Sequence, residues 1–295
     1  MAVNVESVPA IGLAPPARWR RTRESFAVVF RSRVAMIGLA IVLFWIFVAI
    51  FAPLLTSYTP FEQDSTAFNG PPSPRHWLGT DNLGRDIWAR MAYGGRIILV
   101  LAPAAVLCSL AIGVTLGLTA GYFGGWVDEI VMRILDAMMA FPTILLYLII
   151  LAAVGPSAVN IVIAITIAGA PGVARLARSL TLDIRTREYI AAAKLRGEHP
   201  LYIMFVEILP NARGPILVDA MLRVGYAVFA IGTLGFLGLG LPPPSPDWGS
   251  MVNKGRQFIL SGSPWASLFP SLAISSLVVG LNLFADGLQE ESTRY

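Results

Sequence analysis

Long apolar runs, nearly free of charge, alternate along the chain with shorter polar segments. An α-helix needs roughly 20 apolar residues to cross about 30 Å of hydrocarbon. Because lipid offers no partners to backbone N–H and C=O groups, runs of this length are predicted to be helical. The pattern therefore predicts an all-α membrane protein with six transmembrane helices. They are Val34 to Leu55, Ile97 to Phe123, Ile134 to Val154, Ser157 to Ala174, Gly214 to Leu241 and Pro264 to Ala285.

The polar segments between these runs differ in length and composition. The connection at 155–156 is so short that the third and fourth helices are predicted to form an antiparallel hairpin. The segments 56–96 and 242–263 are rich in Gly, Pro, Asp and Asn, which favour tight turns. The segment 175–213 is different, because it contains two helix-like runs.

The stretch EYIAAAKLRGEHPLYIMFVEILPNA, at 188–212, predicts two short helices separated by a turn. The first run consists of strong helix formers, and Gly197 suits a helix end that needs positive φ. The second run has Pro200 in the favoured first-turn position, has apolar residues at helical spacing, and is predicted to end at Pro210. Such an apolar pair should be covered by the chain's own helices or by a partner. Physical reasoning alone favours neither alternative.

Composition and charge agree with a membrane protein. Only 14% of the residues are charged, whereas soluble domains carry about a quarter. The basic residues are not spread as a nucleic-acid-binding face. Fifteen lie in the first tail, the segments 124–133 and 175–213, and the C-terminus, against six in the segments 56–96 and 242–263. The positive-inside rule therefore predicts that both termini are cytoplasmic.

The first 33 residues are predicted to be a cytoplasmic tail. The stretch RWRRTRESFAVVFRSR, which begins at Arg18, mixes arginines with aromatic and aliphatic residues. This composition suits either a helix lying on the anionic inner lipid surface or a plain arginine cluster that sets topology.

Catalytic and cofactor chemistry is not predicted for this chain. A phosphate-binding Walker loop needs Gly-Lys-Ser/Thr, but Lys194 and Lys254 follow alanine and asparagine. His76 and His199 fall on opposite sides of the membrane in the predicted topology, so they cannot share a metal. Cys108 is the single cysteine and is interpreted as a small packing residue.

The stretch at 188–212 resembles the coupling loop of ATP-binding-cassette importer permeases. Their pattern is Glu-Ala-Ala, three residues, Gly, nine residues, Ile, one residue, Leu-Pro. Two positions depart from it, because Ala191 replaces the glutamate and Glu207 replaces the isoleucine. The resemblance implies contact with an ATPase by Glu188, Ala191, Ala192, Ala193, Lys194, Gly197, Leu209 and Pro210.

Two further stretches, HWLGTDNLGRDIWARMAYGGR at 76–96 and FLGLGLPPPSPDWGSMV at 236–252, resemble the C-type permease subunit of dipeptide, oligopeptide and nickel importers. The loop around Trp248 is interpreted as a packed outer scaffold first and a docking surface second. The outer motif residues are Gly79, Thr80, Asp81, Gly84, Arg85, Asp86, Trp248 and Gly249.

The resemblance implies the type I importer fold in the membrane domain 34–295, with its core at about 97–290 and its coupling loop at 175–213. A homologous B-type permease would complete the pore in the bacterial cytoplasmic membrane. Two ATPase subunits or one fused ATPase would bind ATP-Mg inside, and a substrate-binding protein would dock outside. Di- and oligopeptides are the expected substrates. The alternatives are nickel complexes, haem, or a self-contained secondary transporter.

Three charged residues inside the predicted spans need partners, because each costs on the order of 2.5 to 3.5 kcal/mol at mid-membrane. They are Asp136, Asp219 and Arg223. Asp219 and Arg223 are four residues apart and therefore share a helix face. They either line a path for zwitterionic peptides or form a structural ion pair, and the structural interpretation is favoured.

Overall fold

The computed structural model describes residues 32–292, with side chains described as far as Gln289. The predicted inner-surface helix at 18–33 thus lies almost entirely outside the described residues. Helices make up the architecture of the described part, which confirms the all-α prediction. They are α1 Arg33–Ile50, α2 Ala52–Leu55, α3 Ile87–Phe123, α4 Gly125–Met139, α5 Thr143–Val154, α6 Ala158–Ile184, α7 Glu188–Leu195, α8 Pro200–Phe236, α9 Trp248–Gly255 and α10 Trp265–Ser292.

Five of these helices are long and apolar enough to cross a membrane, namely α1, α3, α6, α8 and α10. The helices α4 and α5 are long and apolar enough only as a pair, and their axes differ by 87°, as in a broken span or a re-entrant loop. The prediction of one continuous helix from Ile134 to Val154 is therefore wrong. Pro142 explains the break, because it has no N–H to donate and disfavours helical geometry at Phe141 before it.

Several helix ends differ from the prediction. The helix α3 begins at Ile87 rather than Ile97, because the Asp86 carboxylate accepts the backbone N–H of Ala89 at 2.7 Å and caps it. The helix α6 continues to Ile184 instead of ending at Ala174. Most of the predicted loop 175–213 is consequently helical.

The prediction that the second short helix ends at Pro210 is also wrong, because α8 continues through this residue to Phe236. The segment Ile203–Ile208 is π-helical, and the Leu209 N–H reaches back to the Met204 carbonyl. A wider turn directly before the proline accommodates its ring and its missing N–H without ending the helix. Residues 200–210 and the predicted fifth span thus form one helix.

The helix α3 organises the interior. Its 37 residues correspond to about 55 Å, and it contributes to two apolar clusters, one near each end. Gly113, Gly117 and Gly121 repeat every fourth residue where α3 meets α6. At Gly117 an added Cβ would lie 2.3 Å from the Ala174 carbonyl oxygen, so the two helices are in backbone contact there.

Two smaller expectations have different outcomes. The α5–α6 connection is a tight turn, in which the Asn160 side-chain amide donates to the Val154 carbonyl at 3.1 Å, and the two helices pack against each other as the predicted hairpin requires. Cys108, in contrast, is exposed on the surface of α3 and does not pack inside.

Candidate functional site

We call residues 56–86 and 237–264 the cap, and here the outer motif residues meet. Asp86, which caps α3, also contacts His76, with Nδ1 to Oδ2 at 2.9 Å. His76 is 4% exposed and stacks on Tyr58. Its Nε2 lies 3.5 Å from Asp64, whose pKa is lowered to about 2 chiefly by hydrogen bonds from Thr66. The histidine therefore lies between two carboxylates.

A second network of the cap centres on Asp81. Its carboxylate accepts the backbone N–H of Arg85 at 3.0 Å and the Arg85 Nε–H at 2.8 Å. Arg90, which is buried, donates to the carbonyls of Pro60 at 2.8 Å and Ser245 at 3.2 Å. These bonds connect the two segments of the cap. Gly79, with φ of 81°, and Gly84, with φ of 70°, make the turns around this network, and the Thr80 hydroxyl donates to the Ala67 carbonyl.

Trp248 anchors the second segment of the cap. It is fully buried, and its indole N–H donates to the Met91 carbonyl at 2.9 Å. Its ring meets Trp45 edge-on, with centroids 4.9 Å apart. A Cβ at Gly249 would lie 2.1 Å from the Gly232 carbonyl oxygen, so no larger residue fits. These contacts agree with the scaffold interpretation of the loop.

Asp247 caps α9 by accepting the N–H groups of Gly249 and Ser250, both at 3.2 Å, and the Ser250 hydroxyl at 2.5 Å. Burial raises the pKa of this carboxyl, and the hydrogen bonds from Ser250 and Gly249 together with the charge of Arg90 oppose the rise. The buried Asp247 carboxylate is therefore satisfied by bonds within the chain.

We call residues 188–210 the elbow, which lies at the other end of α3. Its two helices meet at Gly197, whose φ of 77° confirms the predicted positive-φ turn. The Gly197 N–H bonds to the Lys194 carbonyl at 3.0 Å, and the Glu198 N–H bonds to the Ala193 carbonyl at 3.2 Å. Arg196 lies 3.9 Å from Glu207, so the glutamate that departs from the motif takes part in an ion pair across the turn.

One face of the elbow is covered by the chain's own helices. Its buried residues are Ile190, Ala193, Ile203, Met204 and Ile208. They pack with residues of α3 and α6, and Lys194 lies over the ring of Tyr122, 5.2 Å from its centroid. This face fixes the elbow to the bundle.

The other face of the elbow is apolar and exposed. Leu195 is 89% exposed, and the remaining large residues of this face are Tyr189, Leu201, Tyr202, Phe205 and Val206. Among the predicted contact residues, Glu188, Ala191, Ala192, Lys194, Gly197 and Pro210 are exposed, Leu209 is half-buried and Ala193 is buried. The chain's own helices thus cover one face of the elbow, and the other face is left free for a partner.

A cavity of about 500 Å³ lies between α3, α6 and α8 and the bent pair α4 and α5. Most of its lining is apolar. Arg223 is its one charged lining residue among those that the structure describes. Hydroxyl groups come from Ser109, Thr143, Tyr147, Tyr226 and Thr233.

The charged residues inside the spans have partners. Arg223 Nε donates to Asp219 one turn earlier, and its Nη1 donates to the Gly169 carbonyl at 3.3 Å. Asp136 accepts from Arg175 of α6 at 2.6 Å. The predicted pairing of Asp219 with Arg223 is confirmed as a contact, and its role in a path stays a prediction.

Sequence reasoning missed three features of these sites. It did not find the pairing of His76 with Asp86, although both lie in the quoted 76–96 stretch. It did not place Arg178 against Asp128, which together hold α4 to α6 with Nη2 to Oδ2 at 2.5 Å. It also did not predict which helices and residues together line the cavity. No group of three or more metal-ligating side chains is found in the part of the chain that the structure describes.

Comparison with known proteins adds an independent line of evidence. Residues 113–292 match the family model described as binding-protein-dependent transport system inner membrane component. Residues 19–72 match the model of the N-terminal transmembrane domain of oligopeptide transport permease C. The first match contains the elbow and most of the cavity wall, and the second reaches into the cap.

Individual relatives are similar over nearly the whole chain. The dipeptide transport system permease protein DppC of Alkalihalophilus pseudofirmus is 46% identical, over 91% of this chain and 88% of that protein. DppC of Bacillus subtilis is 39% identical, over 92% and 83%. The glutathione transport system permease protein GsiD of Pectobacterium atrosepticum is 40% identical, over 91% and 89%.

Proposed function

The chain belongs to the family of binding-protein-dependent transport system inner membrane components, and from this premise we propose that it is a permease subunit of an importer for di- and oligopeptides. It is a multi-pass membrane transport subunit and not an enzyme. The names of its relatives support the substrate class, since they refer to dipeptide, di/tripeptide and glutathione transport. Nickel complexes and haem are the alternative substrates.

The observation that carries the proposal is the exposed apolar face of the elbow. Leu195, Leu201 and Phe205 are exposed beside the end of α3, on a structure whose opposite face is fixed to the bundle. Exposed apolar patches of this kind typically mark interaction sites. An ATPase subunit, separate or fused to its twin, covers this face and binds the ATP-Mg that this chain has no Walker loop to bind.

The same proposal assigns the other surfaces. A homologous B-type permease closes the open side of the cavity, so each chain supplies half of the translocation pathway. The substrate-binding protein docks on the cap, outside the cell. Both termini and the elbow are cytoplasmic, as the distribution of arginines indicates. Closure of the ATPases would move the elbow and α8, its continuation, as one rigid element.

Reconstitution tests the proposal. The tagged chain should co-purify with a second permease and with two ATPases or a fused ATPase. The complex in liposomes should accumulate labelled dipeptides only with ATP and the binding protein. Deleting residues 188–197 should end substrate-stimulated ATP hydrolysis and uptake. Uptake of solute by the chain alone would show a self-contained transporter, and uptake of nickel or haem without peptides would replace the substrate class.

Labelling of single cysteines tests the orientation. Cys108→Ser removes the one native cysteine, after which Leu195→Cys and Leu260→Cys place thiols on the elbow and the cap, where both side chains are largely or fully exposed. In whole cells an impermeant maleimide should label position 260 and spare position 195. The reverse pattern would place the elbow outside the cell and contradict ATPase binding.

A further inference from the structure

We infer that Arg223 binds the carboxylate of the passing peptide and lets the importer distinguish peptides with a free C-terminus. This inference rests on the proposed function, since it names the chemical group that the cavity recognises. It begins from the contrast within the wall, where one guanidinium lies among apolar side chains and hydroxyls. A charged side chain in such surroundings is costly even when it is paired, so a function that needs the charge would explain its presence.

The guanidinium is held in place by α6 and α8 together. Nε donates to Asp219, and Nη1 donates to the Gly169 carbonyl. Gly172 leaves the space that the head occupies, because a Cβ there would lie 3.0 Å from both Nη1 and Nη2. The Arg223 guanidinium is therefore held in a fixed position by its contacts and does not move freely in the cavity.

One nitrogen of Arg223, Nη2, remains available as a donor in this position. A guanidinium carries five N–H donors, of which Asp219 and Gly169 take one each. Nη2 has no hydrogen-bond partner among residues 32–289, although Arg223 lines the cavity. The fork between the two Nη groups faces Gly172, since a Cβ there would lie 3.0 Å from each of them and 3.5 Å from Cζ. The donor open to a carboxylate is therefore Nη2, through a charge-assisted hydrogen bond. A peptide carries such a group at its C-terminus.

Asp219 explains how recognition stays compatible with release. Asp219 is not part of the cavity lining, but its carboxylate pairs with Arg223 and neutralises the charge of the guanidinium. A transport pathway needs binding strong enough for entry and weak enough for exit. With Asp219 ionised, the Arg223–Asp219 pair has no net charge, and it attracts a carboxylate mainly through the free Nη2 donor. Removing that negative charge should make binding tighter and release slower.

A purely structural staple between α6 and α8 would account for the bonds to Gly169 and Asp219. It would not distinguish one peptide end from another. The two interpretations therefore differ in a measurable ratio, the uptake rate of a free-acid dipeptide divided by that of its C-terminal amide. The probe pair is one labelled dipeptide in both forms, chosen so that the wild-type importer carries both.

The decisive variant is Arg223→Gln in the complete importer in liposomes. The ratio of free-acid to amide uptake should fall by about tenfold or more, the loss expected for a hydrogen-bonded charged group. Arg133→Gln is the matched control, because it removes another Arg–acid pair spaced by four residues, with Glu129, outside the cavity. Its ratio should stay at the wild-type value. An equal loss for both probes, or no loss, would show a structural staple and overturn the inference.

A second variant keeps the test independent of folding. Asp219→Asn leaves Arg223 in place and should lower both the half-saturating concentration and the maximal rate for the free acid, with little change for the amide. Equal behaviour of the two probes in this variant would also overturn the inference. If the wild-type importer carries neither probe with ATP and the binding protein, the proposed peptide function fails, and that outcome is distinct from a changed ratio.

Discussion

The cap surrounds the first turns of α3, and the elbow lies against its last turns, about 55 Å away along the helix. In the cap, several charged and aromatic groups are buried and have partners within the chain, as Asp86 does with His76 and Trp248 with the Met91 carbonyl. In the elbow, the polar groups are exposed, and apolar side chains such as Leu195 are left uncovered.

This difference separates the tasks of the two ends. The buried hydrogen bonds of the cap require a fixed arrangement, since each lost partner leaves a desolvated group behind. The exposed side chains of the elbow bury little surface in the isolated chain, so they contribute little to its folding free energy. They would contribute to binding free energy if a partner covered them. Substitutions in the cap should therefore act on folding, and substitutions on the exposed face of the elbow should act on partner binding.

The largest effect is expected from Trp248→Ala. It empties a fully buried site and removes the hydrogen bond to Met91 and the contact with Trp45. Loss of a buried aromatic side chain costs about 3 to 5 kcal/mol of unfolding free energy. Thermal unfolding of the purified chain in detergent should shift to clearly lower temperature. Trp77→Ala is the control in the same cap, because Trp77 is 64% exposed, and its melting should barely change. Equal melting of the two variants would contradict the scaffold role.

The next largest effect should come from Leu195→Asp, and it should not involve folding. The side chain is 89% exposed, so melting of the isolated chain should stay as in the wild type. A carboxylate enclosed by an ATPase interface would be desolvated, and affinity should fall by about tenfold or more. Pull-down of the ATPases at graded concentrations measures this loss. Leu260→Asp, at a fully exposed cap position, should leave ATPase binding unchanged, and a similar loss there would remove the distinction between the ends.

A smaller effect is expected at the turn of the elbow. Gly197 has φ of 77°, and nothing lies within 4 Å of a Cβ added there, so a substitution strains only the backbone. A β-branched residue in this conformation costs roughly 1 to 2 kcal/mol. Gly197→Val should lower uptake per ATP hydrolysed by roughly 5- to 30-fold, whereas Gly197→Asn, which tolerates positive φ, should stay near wild type. Equal coupling in both variants would show that the turn geometry is not needed.

Much of the fold could be predicted because lipid imposes a simple rule on apolar runs, and α1, α6 and α10 follow it. The bend between α4 and α5 could not be placed, because Pro103, Pro171 and Pro215 lie inside continuous helices, while Pro142 lies in the break and precedes the first residue of α5. What decides is the packing around each proline, and this is a tertiary property. The same reasoning failed at Pro210, where a π-helical segment let α8 continue.

The sites show a similar limit. The turn at Gly197 and the pairing of Asp219 with Arg223 depend on local geometry, and the sequence pattern indicated both. The pairing of His76 with Asp86 depends on how the loop before α3 folds back on the helix start, and the wall around Arg223 depends on which helices become neighbours. No spacing along the chain encodes either. The motif residues of the cap were recognised, but their function in holding α3 and α9 in place required the structure.

The smallest effect is expected at the ion pair across the elbow. Arg196 Nη2 lies 3.9 Å from Glu207, and both side chains reach solvent. Exposed pairs of this kind contribute about 0 to 1 kcal/mol and weaken with added salt. Arg196→Gln should therefore reduce coupling by less than Gly197→Val, measured as uptake per ATP hydrolysed. Glu207→Gln, which keeps the closer contact of Arg196 with Glu198 at 3.5 Å, isolates the pair across the turn and should lose no more coupling than Arg196→Gln. If Arg196→Gln instead uncouples more strongly than Gly197→Val, the charges and not the backbone turn define the elbow. In that case the glutamate at position 207, which departs from the family pattern, would be part of the coupling machinery of this chain.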